Sequence, residues 1–355
     1  MAVQNPSNVG PELAKDVKLL AIPHLIRPIR PWSDVLAFVE TYRLCRKWRF
    51  DVVHTHNAKD GVLGRWAAHL AGVPVLVHTI HNISFRASRR PSINKVYAVL
   101  ERFTASVTNA FLGVSRENVR DYLKRGIGTE SQYRVVYSGL ELDRYKVSMT
   151  KEESRQMLGL PSNTRVVGWV GRLNYQKDPI TFVRAARLIA DRLPNIRFVV
   201  CGDDPLAEDL AKTVHRLVDE LSLADHLVFL GFRSDLPDVF QAVDCVMHSS
   251  RYEGMSRTVC EALLCHKPVA ATAVDGVREV IIPGQRGGFL APSEDPAALA
   301  EATLTLLNDP ERARSLAESG RAWVEQNLSA GRMVEEIANV YSQLFHGGET
   351  TPFQT

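Results

Sequence analysis

Between residues 166 and 272 five short apolar runs recur: VVGWVG at 166–171, RFVVCG at 197–202, LVFLG at 227–231, CVMHSS at 245–250 and PVAAT at 268–272. Most are followed by a polar turn and a stretch of helical periodicity. Runs that are apolar throughout, rather than alternating, read as strands covered on both faces, the condition of a parallel sheet with helices on either side. The first half repeats the pattern, with strands expected at Val17–Ile22, Asp51–His54, Val75–Thr79, Ala110–Val114 and Tyr133–Tyr137. Helices are expected between them, near Trp32–Lys47, Gly61–Leu70, Pro91–Phe103 and Arg116–Lys124. Two doubly wound α/β units follow, since 355 residues exceed one domain of about 100–200. The polar stretch 146–164 is the expected linker. From Pro296 the pattern is helical to about Phe345, and HGGETTPFQT reads as a frayed tail.

Charge separates the two halves. Residues 1–150 carry 22 Lys and Arg against 12 Asp and Glu, whereas 151–355 carry 21 against 28. An anionic surface or acceptor for the basic half is one reading, with Arg86, Arg89, Arg90 and Lys95 the leading contacts, and a solvated face is the other. Five cysteines, Cys45, Cys201, Cys245, Cys260 and Cys265, form no C-x-x-C pair and leave an odd count, which favours a reducing compartment over a disulfide framework. No apolar stretch approaches the roughly 18 residues of a membrane span, and the N-terminus lacks the apolar core of a secretory signal.

The common nucleotide fingerprints are missing: no G-x-G-x-x-G follows a strand, no G-x-x-x-x-G-K-[ST] occurs, and no D-x-D pair is present to hold a metal against a diphosphate. Two other segments carry the chemistry. In SSRYEGMSRTVCEALLCHKPVAAT, residues 249–272, a strand ends at His248, Glu253 sits in the turn, and Gly254, Met255 and Ser256 lead into a helix carrying Glu261. A glycine turn at a helix N-terminus offers free N–H groups to an anion, and a carboxylate further along that helix can accept from vicinal hydroxyls. In GRLNYQKDP, residues 171–179, Arg172 and Lys177 follow a strand and precede a helix, within reach of a diphosphate. For each segment, solvated surface side chains are the alternative. The histidine pairs His54 and His56, and His78 and His81, lack nearby cysteines or carboxylates to complete a metal shell and read better as imidazoles lining a cleft.

Taken together, these segments resemble the family 4 glycosyltransferases, retaining enzymes of the GT-B fold, from about residue 16 to 345. The most specific elements are the E-x7-E pattern from Glu253 to Glu261 and GRLNYQKD; VVHTHNAKDGVLGR, VHTIHN, YSGLELDRY and CGDDPLAEDL add weaker support. The resemblance implies two Rossmann-type domains facing across a cleft. Residues 1–147 would be the acceptor side, 148–330 the nucleotide-sugar donor domain, and 331–355 a helix returning to the first domain, with the tail. Gly171, Arg172 and Lys177 would meet the donor diphosphate, Glu261 the ribose, and Glu253 with Gly254, Met255 and Ser256 the sugar and its phosphate. Phe232 and Arg233 would flank the base, and His81 would stand near the donor sugar; His81, Arg172, Lys177 and Glu253 would form the catalytic group.

The same resemblance implies sugar transfer to a lipid-linked or saccharide acceptor with retention, without a resident cofactor, metal or nucleic acid. It further implies a cytoplasmic protein, peripheral on the cytoplasmic membrane face. Two departures stand out. Met255-Ser256 replaces the usual Phe-Gly type of pair, and by this resemblance the chain starts beyond the strand, Gly-rich loop, helix and strand that open family members. The second departure keeps open a non-catalytic sugar-nucleotide-binding or assembly protein. A glycosidase is disfavoured, because eight residues of helix would part Glu253 and Glu261 by about 12 Å, beyond the ~5–9.5 Å its two carboxyls require.

Overall fold

The computed structural model describes residues 17–26, 28–82, 85, 91–204 and 207–346, and the backbone of Ala2–Val3. These residues form two compact units, one from the chain up to Val136 plus the residues from Glu335, the other from Tyr137 to Val334.

In the first unit, strands β1 (Ala2–Val3) and β2 (Leu20–Ala21) form a two-stranded parallel pair. The strand expected at 17–22 contracts to β2, which has only a two-residue partner to bond. Four further strands, β3 (Val52–His56), β4 (Val75–Ile80), β5 (Ala110–Gly113) and β6 (Tyr133–Val135), make a parallel sheet in sequence order. Every residue of β4 is buried, as its apolar run predicts for a strand flanked on both sides. Phe111 stacks on Tyr133 in one core cluster, with Phe85, Val119 and Ile127.

The second unit is a six-stranded parallel sheet of β7 (Arg165–Val170), β8 (Ile196–Cys201), β9 (Leu227–Gly231), β10 (Cys245–His248), β11 (Val269–Thr272) and β12 (Gly288–Ala291). Its spatial order is β12-β11-β10-β7-β8-β9, the doubly wound arrangement expected. Three of its helices, Pro179–Arg192, Pro296–Asn308 and Pro310–Asn327, start at Asp-Pro pairs. Asp178, Asp295 and Asp309 each accept a bond from a first-turn N–H, while Pro179, Pro296 and Pro310 occupy the first helical position, where no N–H is needed. Trp169, Phe182 and Phe198 pack at the centre of the core.

Two expectations about the joins change. The stretch 146–164 is not an open linker: it holds the helix Lys151–Met157, begun by a capping box at Thr150 and Glu153. Its buried Arg155 donates to Ala242 O at 3.0 Å and pairs with Asp244 at 3.1 Å, so the polarity of the segment reflects internal bonding. The division between units accordingly falls at Val136, not residue 147, because the segment after Tyr137 bonds within the second unit. Tyr137 Oη donates to Glu279 at 2.7 Å, and Leu140 N donates to Leu328 O at 2.7 Å. The last helix, Ala330–His346, brings Tyr341 Oη to 2.5 Å from His54 Nδ1, and its Val334 and Phe345 are exposed. All five cysteines are free and buried. Among the described residues no helix is long and apolar enough to cross a membrane.

Candidate active site

In the second unit the strand order reverses between β7 and β10, which pair directly, Val167 opposite Cys245 and Gly168 opposite Val246. Open α/β sheets bind ligands outside the C-terminal strand ends at such a reversal, because the two following chains diverge and leave a crevice. Both motifs singled out in the sequence emerge there: 171–178 after β7, and 249–256 after β10. They are bonded to each other. Trp169 Nε1 donates to Ser249 Oγ at 2.9 Å, and that hydroxyl lies 2.8 and 2.9 Å from the carbonyls of Lys177 and Asp178. Arg251 N donates to Gln176 O at 2.8 Å, and Arg251 Nε lies 3.0 Å from Asp178 Oδ2.

This bonding brings together two residues 76 positions apart: Lys177 Nζ donates to Glu253 Oε1 at 2.5 Å. Ser250 Oγ donates to the same oxygen at 2.7 Å, His248 Nε2 lies 3.4 Å from it, and Gln176 Nε2 donates to Oε2 at 3.3 Å. Burial, the largest influence, would raise the Glu253 carboxyl; Lys177 and His248 together outweigh it and hold it at about 2. Glu253 is therefore an anion across the neutral range and no proton donor. His248, fully buried, is held neutral by desolvation, with Ser256 Oγ 2.9 Å from its Nε2.

The chain then turns into the helix Arg257–Leu264, whose first bond outside its own span runs from Cys260 N to Ser256 O. The N–H groups before it are the orphan donors of a helix start and carry its partial positive charge. Ser256 has no side-chain cap bond to them, and Met255 beside it is buried. The turn is pinned from behind: Glu253 N donates to Asp275 Oδ2 at 2.7 Å and Gly276 N to Gly254 O at 3.1 Å. A Cβ at Gly276 would stand 2.2 Å from Gly254 O, so only glycine lets this backbone come so close. Glu261, 7% exposed, accepts from Tyr145 Oη at 2.7 Å through Oε1, and Arg257 Nε lies 3.6 Å from the same oxygen. Burial and the Glu261 carboxylate both push the Tyr145 phenol up, so it stays a donor.

Other expected residues are placed less tightly. Gly171 N donates to Cys201 O at 3.0 Å, and Arg172 beyond it is exposed. Phe232 is 82% exposed after β9; Arg233 is taken up by Asp235, to which its Nε donates at 2.8 Å. His81 belongs to the first unit, at the end of β4, where its Nε2 lies 2.9 Å from His56 Nδ1. Burial lowers His81, and burial with neighbouring imidazoles brings His56 to about 4 and His54 to about 3, so all three are neutral near pH 7. Among the described residues no three His, Cys, Asp or Glu side chains are grouped to hold a metal ion. Arg86, Arg89 and Arg90 lie outside the described residues. The residues that sequence reasoning missed are Gln176, His248, Ser250, Asp275 and Tyr145, which hold the two glutamates and the turn. Their signal was position alone, next to a motif or a strand end.

Comparison with known proteins falls in line with this geometry. The family profile "Glycosyl transferases group 1" matches residues 150–323, and "Glycosyltransferase Family 4" matches 6–144. The chain is 30% identical over 332 residues to the Escherichia coli UDP-Gal:alpha-D-GlcNAc-diphosphoundecaprenol alpha-1,3-galactosyltransferase, covering 93% of this chain and 84% of that one. It is also 30% identical over 313 residues to the D-inositol 3-phosphate glycosyltransferase of Salinispora arenicola, 83% and 69% covered. The fold superposes on Anabaena HepE in complex with UDP and glucose with a TM-score of 0.79 at 25% identity, covering 93% of this chain and 88% of that one.

Proposed function

The chain belongs to the family 4 glycosyltransferases, and from that membership we propose that it transfers a hexose from a UDP-sugar to a lipid-linked acceptor with retention at the anomeric carbon. The observation that carries this reading is the Lys177–Glu253 pair at the strand-order reversal, 2.5 Å long and beside a helix start. Lys177, Arg172 and the helix N–H groups face the donor diphosphate and stabilise the negative charge that grows on it as the glycosidic bond breaks. Glu253 keeps Lys177 in place and, as a permanent anion, offers an acceptor to the sugar hydroxyls. Glu261 accepts from the ribose through Oε2, its other oxygen being occupied by Tyr145. Phe232 flanks the base.

A carboxyl held at about 2 cannot protonate a leaving group near neutral pH, which disfavours glycosidase chemistry at Glu253. The leaving phosphate oxygen takes the acceptor's proton as the acceptor attacks from the face it vacates, which preserves configuration without a carboxylate nucleophile. A uridine base and a lipid-linked acceptor are supported by the names of the E. coli relative and the HepE complexes. Reaction on the cytoplasmic membrane face belongs to the same reading, and no resident metal or cofactor enters it. The test is incubation with UDP-galactose or UDP-glucose and a GlcNAc-diphospholipid, with the new linkage assigned by proton NMR. An α-linked product supports the proposal; a β-linked product, or transfer only to a soluble acceptor such as inositol phosphate, overturns the corresponding part.

A further inference from the structure

The helix Pro91–Ala105 in the first unit has its polarity inverted. Its buried residues are Ala98, Glu101, Thr104 and Ala105, while Ile93, Val96, Val99, Leu100 and Phe103 are 43% to 63% exposed. At 100° per residue these five fall within an arc of about 120°. The orientation is locked from the inside. Arg65 donates to Glu101 Oε2 at 2.8 Å with both side chains buried, and Trp66 Nε1 donates to Thr104 Oγ1 at 3.1 Å. Rolling the helix to cover its apolar arc would strand a buried charge, which costs far more than the exposure it relieves. The patch continues onto the neighbouring helix Ala58–Leu70: Phe103 stacks on Trp66 at 4.6 Å, and Leu70, one turn from Trp66, is 60% exposed.

We propose that this face inserts into the surface of an anionic lipid bilayer. Lys95 and Arg102 are exposed along one border of the arc, and Glu101, the one acidic residue of the helix, is turned inward and paired. The excess of cations in residues 1–150, 22 against 12, acts in the same direction. An apolar stripe bordered by lysine and arginine fits the boundary between headgroups and acyl chains, where basic side chains reach the phosphates while the stripe sinks below them. A second copy of the chain meeting this patch would bring like charges together. The proposal deepens the lipid-linked-acceptor reading and rests on it for its purpose, while its test reads lipid binding rather than sugar transfer.

The experiment is flotation of the full chain with phosphatidylcholine vesicles, with and without phosphatidylglycerol, at low and high salt. Wild type binds the phosphatidylglycerol vesicles, and part of that binding survives high salt because it is apolar. Val96→Ser with Val99→Ser lowers the partition constant about tenfold or more at unchanged helical content. Ile93→Ser with Leu100→Ser does the same from the other side of the arc. Lys95→Gln costs roughly fivefold, on phosphatidylglycerol vesicles only. No vesicle binding by wild type, or serine variants that bind like wild type, overturns the proposal. So does light scattering that finds a wild-type dimer split by the serine changes, which would give the face to a second copy. Loss of UDP-sugar binding with vesicle binding intact refutes the functional reading and leaves this one standing.

Discussion

Replacing Lys177 with alanine leaves the Glu253 carboxylate, 7% exposed, without its cation. A carboxyl held at about 2 against an ordinary 4.5 is favoured as the anion by about 3 kcal/mol, at about 1.4 kcal/mol per factor of ten. Removing one member of a buried pair costs about 3–5 kcal/mol in general. Ser250 and Gln176 still donate to the carboxylate, and it can escape part of the penalty by taking up a proton, so the lower end applies. The Lys177→Ala variant should lose about 3 kcal/mol, or roughly 6–12 °C in the melting of a unit this size. Adding Glu253→Gln should restore about 2 kcal/mol of the loss, because the amide needs no counter-charge. Scanning calorimetry of the full chain and the two variants measures both effects. A single-variant cost under about 1 kcal/mol, the range of a solvated surface lysine, would refute the argument, as would strict additivity of the two changes.

Three further outcomes follow from the same geometry. Glu261→Ala should weaken UDP binding about 10- to 150-fold, the loss of one charge-assisted hydrogen bond of ~1.5–3 kcal/mol; unchanged affinity by calorimetry removes Glu261 from the ribose site. Gly276→Ala should cost about 2 kcal/mol or more, since its Cβ would stand 2.2 Å from a backbone oxygen that cannot retreat without moving the 253–256 turn; denaturant melting and UDP titration should both report it, and a neutral effect counts against the pinned turn. His54 and His56 are held at about 3 and about 4 in the fold against an ordinary 6.5, so the unfolded chain binds more protons between those values. Stability of the first unit is therefore complete above 6.5 and falls as pH drops toward 4, and His54→Gln should flatten that slope in denaturant unfolding; a slope that is already flat in wild type would refute it.

The second unit was more legible than the first, for a physical reason. Strands such as VVGWV, covered on both faces, are apolar almost throughout, so they announce themselves. The reversal between β7 and β10 was not legible, because strand order is set by packing across 75 or more residues and leaves no local mark. Lys177 and Glu253 were each visible as motif residues, but not as partners. Tyr145 lay in view within YSGLELDRY, yet nothing there says that its hydroxyl meets Glu261. The helix Lys151–Met157 was read as linker because its polar residues bond inward, as Arg155 does to Asp244. The helix at 91–105 was foreseen, but periodicity gives an apolar face without saying which way it turns. Only the buried Arg65–Glu101 pair decides that.

In the proposed function a nucleoside diphosphate is held at the junction of the 171–178 and 249–256 loops, its phosphates by Lys177 and the helix start and its ribose by Glu261. The most direct measurement is calorimetric titration of the wild-type chain, Lys177→Ala and Glu261→Ala with UDP and with uridine. Wild type should bind UDP far more tightly than uridine, Lys177→Ala should lose affinity for UDP while keeping that for uridine, and Glu261→Ala should lose both. Equal affinity of wild type for the two ligands, or a Lys177→Ala variant that binds UDP as wild type does, would contradict it.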